Sequence, residues 1–284
     1  MPDQQPSTEA GGLSLPAPVL LRDADTTSNA WMLTIGGTEQ SYVDLDDPTH
    51  LEFDYVQRLA EAIDLHAPTG ERIRIVHVGG AGLTLPRYVS HTRPTSAQVV
   101  LEPDTELTAL VRDQLPLPRN SGIKVRPVDG RVGIAALADD YADVIVLDAF
   151  HGAQVPAELT TYEFFTDCRR ALVPAGSLMI NVTDRGPFDY GRRVVAGARA
   201  VFDHVLFSAE VSTLKGRRFG NVVIIGRDHP IPADDLQRIA ARSAFPYRML
   251  FGSALNRMIA GAAPLTDADS SWSPLPSSGR TLFT

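Results

Sequence analysis

The fold is decided by Ile73-Arg74-Ile75-Val76-His77-Val78-Gly79-Gly80-Ala81-Gly82, an apolar run that ends in a cluster of glycines. Thr84-Leu85-Pro86 follows as a helix start, and a second apolar run, Ala97–Leu101, ends at the acid Glu102. This order is typical of the first strand–helix–strand unit of an open α/β sheet that binds a nucleoside. The glycines let the backbone approach the ligand, and a carboxylate about twenty residues later accepts hydrogen bonds from ribose hydroxyls.

Strand-like and helix-like segments alternate after Arg72, which predicts a mainly parallel sheet with helices on both faces. Seven strands are predicted, at Ile73–Val78, Ala97–Leu101, Ile123–Pro127, Asp143–Asp148, Ser177–Val182, Val205–Ser208 and Asn221–Gly226. No long helix separates the last two, so we expect them to form an antiparallel pair. Two further helices are predicted over Pro232–Ala244 and Tyr247–Ala260. The fold class is therefore α/β, with a Rossmann-like sheet.

The regions flanking this sheet are predicted to be organised differently. Residues 18–70 form a small N-terminal unit, in which Ala30–Ile35 and Gln40–Val43 make a β-hairpin and His50–Asp64 makes an amphipathic helix. Residues 71–261 are expected to be the catalytic, Rossmann-like domain with its C-terminal helices. Residues 1–17 are predicted to be a disordered tail and residues 262–284 a flexible one, because both are rich in proline and serine.

Composition limits the classes of partner and site. The 284 residues carry a formal net charge of −8, which argues against nucleic acid because phosphate binding needs a basic face. No apolar run approaches the ~20 residues of a membrane span, and the N-terminus lacks a basic signal region, so we expect a cytoplasmic protein without a membrane partner. The one cysteine, Cys168, is expected to be a packed thiol rather than a nucleophile. The histidines are scattered, so no metal site is predicted.

Small and acidic residues follow four of the predicted strands, namely Gly79–Gly82, Glu102, Asp129-Gly130 and Asp148. Ligands of open parallel sheets bind beyond the carboxyl ends of the strands, so these residues together predict a ligand site. Taken singly, each has a structural alternative. Glu102 and Asp129 could cap the helices that follow them, and Asp148 could fix a loop.

The glycine turn lacks the last glycine of the dinucleotide fingerprint, because Leu85 stands at that position. No phosphate-binding Gly-x-x-x-x-Gly-Lys-Ser/Thr motif is present either. We therefore expect a mononucleoside with a non-phosphate side arm, a description that fits S-adenosylmethionine and its relatives.

Residues 30–226 resemble the spermidine synthase (polyamine aminopropyltransferase) family, which has the class I methyltransferase-like fold. The resemblance rests on the segments Glu52–Tyr55, Val78–Arg87, Leu101–Asp104, Val128–Gly130, Leu147–His151 and Leu159–Phe165, together with the hairpin that carries Gln40. It implies a transferase of polyamine biosynthesis that moves an aminopropyl group from decarboxylated S-adenosylmethionine to a small, putrescine-like amine. It also implies a homodimer.

The resemblance implies a role for each matching residue. Glu102 would bind the ribose hydroxyls, and Asp129, with Gly130 behind it, would bind the adenine amino group. Asp148 would be the catalytic acid–base that helps to deprotonate the attacking amine, and Tyr55 would form part of the active-site wall. The remaining residues expected to contact the nucleoside co-substrate are Gln40, Gly79, Gly80 and Gly82.

The chain departs from the family where the amine would bind. Gly82 replaces an aspartate that meets the aminopropyl ammonium, and His151 replaces the second aspartate, which grips the acceptor amine. Lys215, Arg217 and Arg218 are expected near that amine and would repel it. His151 is interpreted either as a general base or selector for a different nucleophile, or as a loop histidine without a catalytic role.

These departures leave three functions open. The first is aminopropyl transfer, as in the family. The second is methyl transfer from S-adenosylmethionine, because nucleoside contacts do not decide which carbon of the sulfonium is attacked. The third is a homologue that binds the nucleoside without aminopropyl transfer.

Overall fold

The computed structural model describes residues 16–275. Its strands are β1 (Pro18–Arg22), β2 (Ala30–Ile35), β3 (Thr38–Asp44), β4 (Arg74–Val78), β5 (Ala97–Leu101), β6 (Ile123–Arg126), β7 (Ala142–Leu147), β8 (Leu172–Asp184), β9 (His204–Glu210), β10 (Gly220–Arg227) and β11 (Tyr247–Leu250). Its helices are α1 (Asp54–His66), α2 (Thr84–Thr92), α3 (Thr105–Gln114), α4 (Gly130–Ala135), α5 (Tyr162–Ala171), α6 (Asp189–Val201), α7 (Val211–Leu214), α8 (Ala233–Ala240) and α9 (Gly252–Ile259). In this part of the chain, no helix is long and apolar enough to cross a membrane.

The main sheet has eight strands in the order β11-β9-β10-β8-β7-β4-β5-β6. Strands β4 to β8 pair parallel with one another, whereas β9, β10 and β11 add antiparallel ladders on one side. The predicted α/β class and the antiparallel pairing of the last two predicted strands are confirmed. The carboxyl ends of the five parallel strands meet at one edge, where the predicted ligand site is expected.

Apolar side chains of the central strands are buried on both faces, which requires helices on both. One face is covered by α1, α2, α3 and α8, and the other by α4, α5, α6 and α9. Within β4, for example, Ile75 packs into one core and Val76 into the opposite one. Cys168 of α5 is fully buried in the second of these cores, and burial raises the pKa of its thiol, so it is a packing residue.

The N-terminal unit is a three-stranded antiparallel sheet rather than a two-stranded hairpin, because β1 pairs with β2. The predicted hairpin forms β2 and β3. Its turn residues Gly36 and Gly37 have φ values of 59° and 77°, the left-handed backbone that a tight two-residue hairpin loop requires. Leu33 and Val43 of this small sheet pack with Leu83 and Val100 of the main domain. The sheet therefore lies against the glycine turn.

The prediction of seven strands is wrong by one, because β11 forms where a helix was predicted over Tyr247–Ala260. Burial alternates along β11, with Tyr247 and Met249 inside and Arg248 exposed, as a half-buried strand requires. Pro246 precedes it, and Gly252 follows with a φ of 54°. The helix α9 therefore occupies only the second part of the predicted segment.

Residues 262–275, which we call the C-terminal strap, pack against the domain, although the sequence places them in a flexible tail. Leu265 and Ser273 are fully buried, and the carbonyl of Leu265 accepts a hydrogen bond from the backbone of Tyr162 at 2.8 Å. Buried anchors of this kind are spaced too widely to be recognised in a proline- and serine-rich sequence. The other tail residues, 1–15 and 276–284, lie outside the described residues.

Candidate active site

The glycine turn joins the ends of three strands. Gly79 has a φ of 93°, and a Cβ at this position would lie 2.3 Å from the carbonyl oxygen of Asp148. Its own N–H donates to the carbonyl of Leu101 at 3.0 Å, and the N–H of Asp148 donates to the carbonyl of Val78 at 2.9 Å. Only glycine permits this backbone approach, which brings the end of β7 beside the end of β4.

Glu102 is held by its carboxylate at the end of β5. Oε2 accepts from the backbone N–H of Gly80 at 2.9 Å and of Ala81 at 3.4 Å, and Oε1 accepts from the N–H of Asp104 at 3.0 Å. The cap of the following helix is Asp104, not Glu102, because Asp104 accepts from the N–H of Leu107 at 2.8 Å. A carboxylate has about four lone-pair sites, so Glu102 has remaining capacity for hydroxyl donors.

Asp129 does cap a helix, α4, through one of its oxygens. Oδ1 accepts from the backbone N–H of Arg131 at 2.7 Å and of Val132 at 3.3 Å. Among the described residues, no hydrogen-bond donor to Oδ2 is found, so this oxygen can accept from an amino group. Gly130 brings the start of α4 close to β4, since a Cβ there would lie 2.3 Å from Cγ1 of Val78. The capping alternative and a binding role are thus compatible.

Asp148 follows β7 and lies between two hydrogen-bond donors. Its Oδ1 accepts from Nδ2 of Asn181 at 2.9 Å, and its Oδ2 accepts from the hydroxyl of Tyr55 at 3.4 Å. Burial raises the pKa of Asp148 to about 6, although both hydrogen bonds oppose this effect. The group is therefore ionised at neutral pH, yet it is a much stronger proton acceptor than an ordinary aspartate.

Gln40 and His151 lie at the loop that follows β7. The side chain of Gln40 donates from Nε2 to the carbonyl of Gly152 at 3.3 Å, which ties the N-terminal sheet to the loop after β7. His151 is exposed on this loop, and its backbone forms a bridge with Gln154. Its ring contacts that of Trp272 edge-on, with ring centroids 5.8 Å apart.

These side chains surround one cavity of about 660 Å³. Nine of the predicted site residues line it: Gln40, Tyr55, Gly79, Gly80, Glu102, Asp129, Gly130, Asp148 and His151. The lining also contains six carboxylates, on Glu102, Asp104, Glu106, Asp129, Asp148 and Glu158. Among the described residues that line the cavity, none is a lysine or an arginine. The cavity is therefore strongly anionic, which favours cationic ligands.

Gly82 is the predicted site residue that the structure does not place in the cavity lining. Its N–H donates to Oγ of Ser41 at 3.0 Å, and a Cβ at this position would lie 2.8 Å from Cβ of Ser41 and 3.0 Å from Cγ2 of Val43. The backbone at residue 82 is thus covered by β3 of the N-terminal sheet. Gly82 serves this packing contact, and a larger side chain has no room.

The basic segment 215–218, which the sequence analysis expected near the amine, does not belong to the described cavity lining. Arg218 forms an ion pair with Glu210 and donates from Nε to Oγ of Ser212 at 3.0 Å. Neither Lys215 nor Arg217 belongs to the lining. Arg218 is thus paired locally, and the segment contributes no side chain to the described cavity lining.

Sequence reasoning missed several residues of this site, among them Asn181, Trp272 and His77. Asn181 interrupts the apolar strand Leu178–Val182, and a polar residue in a buried strand was the available signal. Trp272 had no such signal, because it belongs to the C-terminal strap. His77 also lines the cavity; burial lowers its pKa to about 4, and its Nε2 lies 3.0 Å from Oε1 of Gln98.

Among the described residues, no group of three or more acidic, histidine or cysteine side chains is arranged to hold a metal.

The protein has a methyltransferase-like α/β fold with a cavity at the carboxyl ends of its parallel strands. A probable spermidine synthase from Corynebacterium glutamicum is similar over nearly the whole chain, with 31% identity, a TM-score of 0.82, and coverage of 92% of this chain and 97% of that one. The chain belongs to the spermidine synthase family of transferases.

Two curated proteins named polyamine aminopropyltransferase are also similar. The protein from Neisseria meningitidis is 25% identical over 225 residues, which cover 79% of this chain and 81% of that protein. The protein from Chromobacterium violaceum is 28% identical over 145 residues, 51% of this chain, and the match spans about half of that protein, 54%. A scan against protein-family models gives no match.

Proposed function

We propose that this protein transfers an aminopropyl group from decarboxylated S-adenosylmethionine to a small amine. The observation that carries the proposal is Asp148, a buried carboxylate with a pKa of about 6, in a cavity without lysine or arginine in its described lining. Both reactants are cationic, a sulfonium and an ammonium, and this cavity suits both. The names of the relatives, polyamine aminopropyltransferase and spermidine synthase, support the same reaction.

The nucleoside end of the co-substrate is assigned to the glycine turn and its two acids. We assign the ribose hydroxyls to Glu102, whose carboxylate is fixed by the N–H groups of the turn and retains free lone pairs. We assign the adenine amino group to Oδ2 of Asp129, because Oδ1 is occupied in capping α4. Because Gly79 and Gly80 have no side chains, the backbone can approach the sugar closely.

Asp148 would act on the acceptor. A protonated amine has no free lone pair, so Asp148 must first accept one of its protons. The amine nitrogen then attacks the methylene carbon of the aminopropyl group that is bonded to sulfur. The carbon–sulfur bond breaks, its electron pair stays on sulfur, and neutral methylthioadenosine is formed. Because a sulfonium is a good leaving group, positioning of the amine supplies much of the remaining rate.

Tyr55 and Asn181 position that carboxylate. Each donates to a different oxygen of Asp148, so the plane of the carboxylate is fixed toward the cavity. Both hydrogen bonds favour the ionised form and keep the pKa of Asp148 from rising further with burial. Asp148 is thus ionised, and ready to accept a proton, at neutral pH.

The alternatives left open by the sequence are not favoured by the comparisons. Methyl transfer would use S-adenosylmethionine itself, and the curated relatives carry names of aminopropyl transfer instead. A homologue without turnover would not need a proton acceptor of raised pKa at the end of β7.

Family resemblance also supports two further parts of the proposal, a homodimer and a location in the cytoplasm. Light scattering on the purified protein tests the first.

The direct test is release of methylthioadenosine from decarboxylated S-adenosylmethionine in the presence of a panel of mono-, di- and triamines. We expect release with at least one amine and none when S-adenosylmethionine replaces the decarboxylated form. Calorimetry with methylthioadenosine tests the nucleoside site independently of turnover. Methyl transfer to any of these amines, or binding of methylthioadenosine without release across the panel, would contradict the proposal.

A further inference from the structure

The C-terminal strap is fixed at both ends of its path along the domain. At its first end, Leu265 is buried and Asp267 accepts hydrogen bonds from Arg131 at 2.8 Å and from Thr161 at 2.7 Å. At its second end, Ser273 is fully buried. The backbone N–H of Ser273 donates to the carbonyl of Val155 at 3.2 Å, and its Oγ accepts from the N–H of Val155 at 2.8 Å. Fully satisfied buried contacts of this kind hold the strap in one position.

Trp272 precedes this second anchor and is thereby placed at the cavity. The indole belongs to the cavity lining and contacts the ring of His151, yet 45% of its surface remains exposed. An indole that lines the cavity with much of its surface exposed has room for a ligand. The loop that it touches is the loop that follows the proposed proton acceptor, Asp148.

The chemistry of the acceptor explains why an aromatic ring is useful there. An amine with two amino groups presents one nitrogen to Asp148 and carries a second, charged nitrogen some distance away. At residue 151 the chain has an imidazole and not a fixed carboxylate. The face of an indole attracts an ammonium ion, and tryptophan is the best of the aromatic residues at this. The interaction needs no formal charge on the protein.

We propose that Trp272 is a specificity-determining residue that receives the distal ammonium of a diamine acceptor on its indole face. This inference rests on the proposed function, and it assigns the C-terminal strap a part in selecting the acceptor. The ring contact with His151 orients the indole, and the hydrogen bonds of Ser273 fix its backbone. Diamines are therefore preferred over monoamines of the same length.

A spectroscopic test uses the small number of tryptophans. The chain has two, Trp31 and Trp272, and Trp31 lies in the N-terminal sheet outside the cavity lining. In a Trp31→Phe variant, all tryptophan fluorescence therefore comes from Trp272. We expect putrescine to change this emission in the methylthioadenosine-loaded protein, and n-butylamine to change it much less. An emission that responds to neither amine, or equally to both, would overturn the inference.

Kinetics provide the second test. We expect Trp272→Ala to raise the KM for putrescine about five- to thirtyfold, and Trp272→Phe to raise it less, because a phenyl ring binds cations more weakly. The KM for n-butylamine and the affinity for methylthioadenosine should change less than about twofold. The matched control is Leu275→Ala, an exposed apolar residue of the same strap that does not line the cavity.

The outcomes separate this inference from the proposed function. Equal losses for both amines in Trp272→Ala, or a loss of methylthioadenosine affinity instead, would overturn the role of Trp272 while aminopropyl transfer stands. If the unmodified protein releases no methylthioadenosine with any amine, the proposed function fails. The fluorescence titration then still decides whether Trp272 meets a diamine. Because nearly half of the surface of Trp272 is exposed, its replacement should change the unfolding temperature little.

Discussion

The two halves that we propose for the cavity, a nucleoside half and an acceptor half, are built in different ways. In the first, Gly79, Glu102 and Asp129 follow neighbouring parallel strands, and backbone hydrogen bonds fix both acids. In the second, Gln40, His151 and Trp272 come from three distant parts of the chain and meet through the loop after β7. The comparison indicates that neighbouring strand ends form the half proposed for the nucleoside, whereas distant segments of the chain form the half proposed for the acceptor.

The largest expected effect is the loss of turnover when Asp148, which lies between the two halves, is replaced. Asp148→Asn keeps the shape of the side chain but removes its capacity to accept a proton. We expect kcat to fall about 10²- to 10⁴-fold while the affinity for methylthioadenosine stays nearly unchanged. Steady-state kinetics and calorimetry measure the two quantities.

The matched control for this variant is Asp143→Asn, near the opposite end of β7. That carboxylate accepts from the N–H of Arg74 at 2.6 Å, far along the strand from the cavity, and its loss should leave kcat unaffected. Turnover that persists in Asp148→Asn would show that Asp148 is not the proton acceptor. It would also show that Asp148 does not connect the two halves of the cavity.

The second largest effect is expected in the nucleoside half. Glu102→Gln removes a charged acceptor of the ribose hydroxyls, and hydrogen bonds to charged groups are the strong ones. We expect methylthioadenosine to bind about ten- to a hundredfold more weakly. Calorimetry measures this change, with the exposed Glu71→Gln as control. An unchanged dissociation constant would mean that Glu102 only fixes the turn.

A substitution at Gly82 distinguishes a packing role in the glycine turn from a role in nucleoside binding. Gly82→Ala places a methyl group against Ser41 and Val43, and overpacking of this kind costs about 1–3 kcal/mol. We expect the unfolding temperature to fall while the affinity for methylthioadenosine changes little. Loss of affinity at an unchanged unfolding temperature would place Gly82 among the nucleoside contacts after all.

The smallest effect is expected at the edge of the acceptor half. His151→Asp introduces the acid that the family resemblance implies at this position, on an exposed loop where an ion pair contributes little. We expect the KM for putrescine to fall roughly two- to fivefold, with His151→Asn as the uncharged control. An increase in KM would show that the imidazole itself serves the acceptor.

The contrast between neighbouring strand ends and distant segments also explains which features the sequence predicts. The glycine turn, Glu102 and Asp129 are recognisable because each directly follows an apolar strand, a local signal. The seven predicted strands are found for the same reason. Domain boundaries and residue roles remain predictions, because nothing in the fold alone measures them.

The features that escaped prediction depend on contacts between distant residues. Trp272 reaches the cavity because Ser273 bonds to Val155, a pairing across 118 positions. The strand β11 exists because β9 offers it an edge, although its short apolar segment also fits a helix. The ion pair of Arg218 with Glu210 depends likewise on the turn between β9 and β10, which the sequence alone does not reveal.

The central claim, that Asp148 accepts the proton of a bound ammonium, is tested most directly by the pH dependence of kcat/KM for the acceptor. Asp148 is the proton acceptor only when ionised, and its pKa is about 6. The account predicts that kcat/KM rises with pH up to about 6 and is then level to pH 8. If the protein instead selects amine that is already deprotonated in water, kcat/KM will keep rising about tenfold per pH unit through pH 8, because free amines titrate near pH 10. That result would contradict the account.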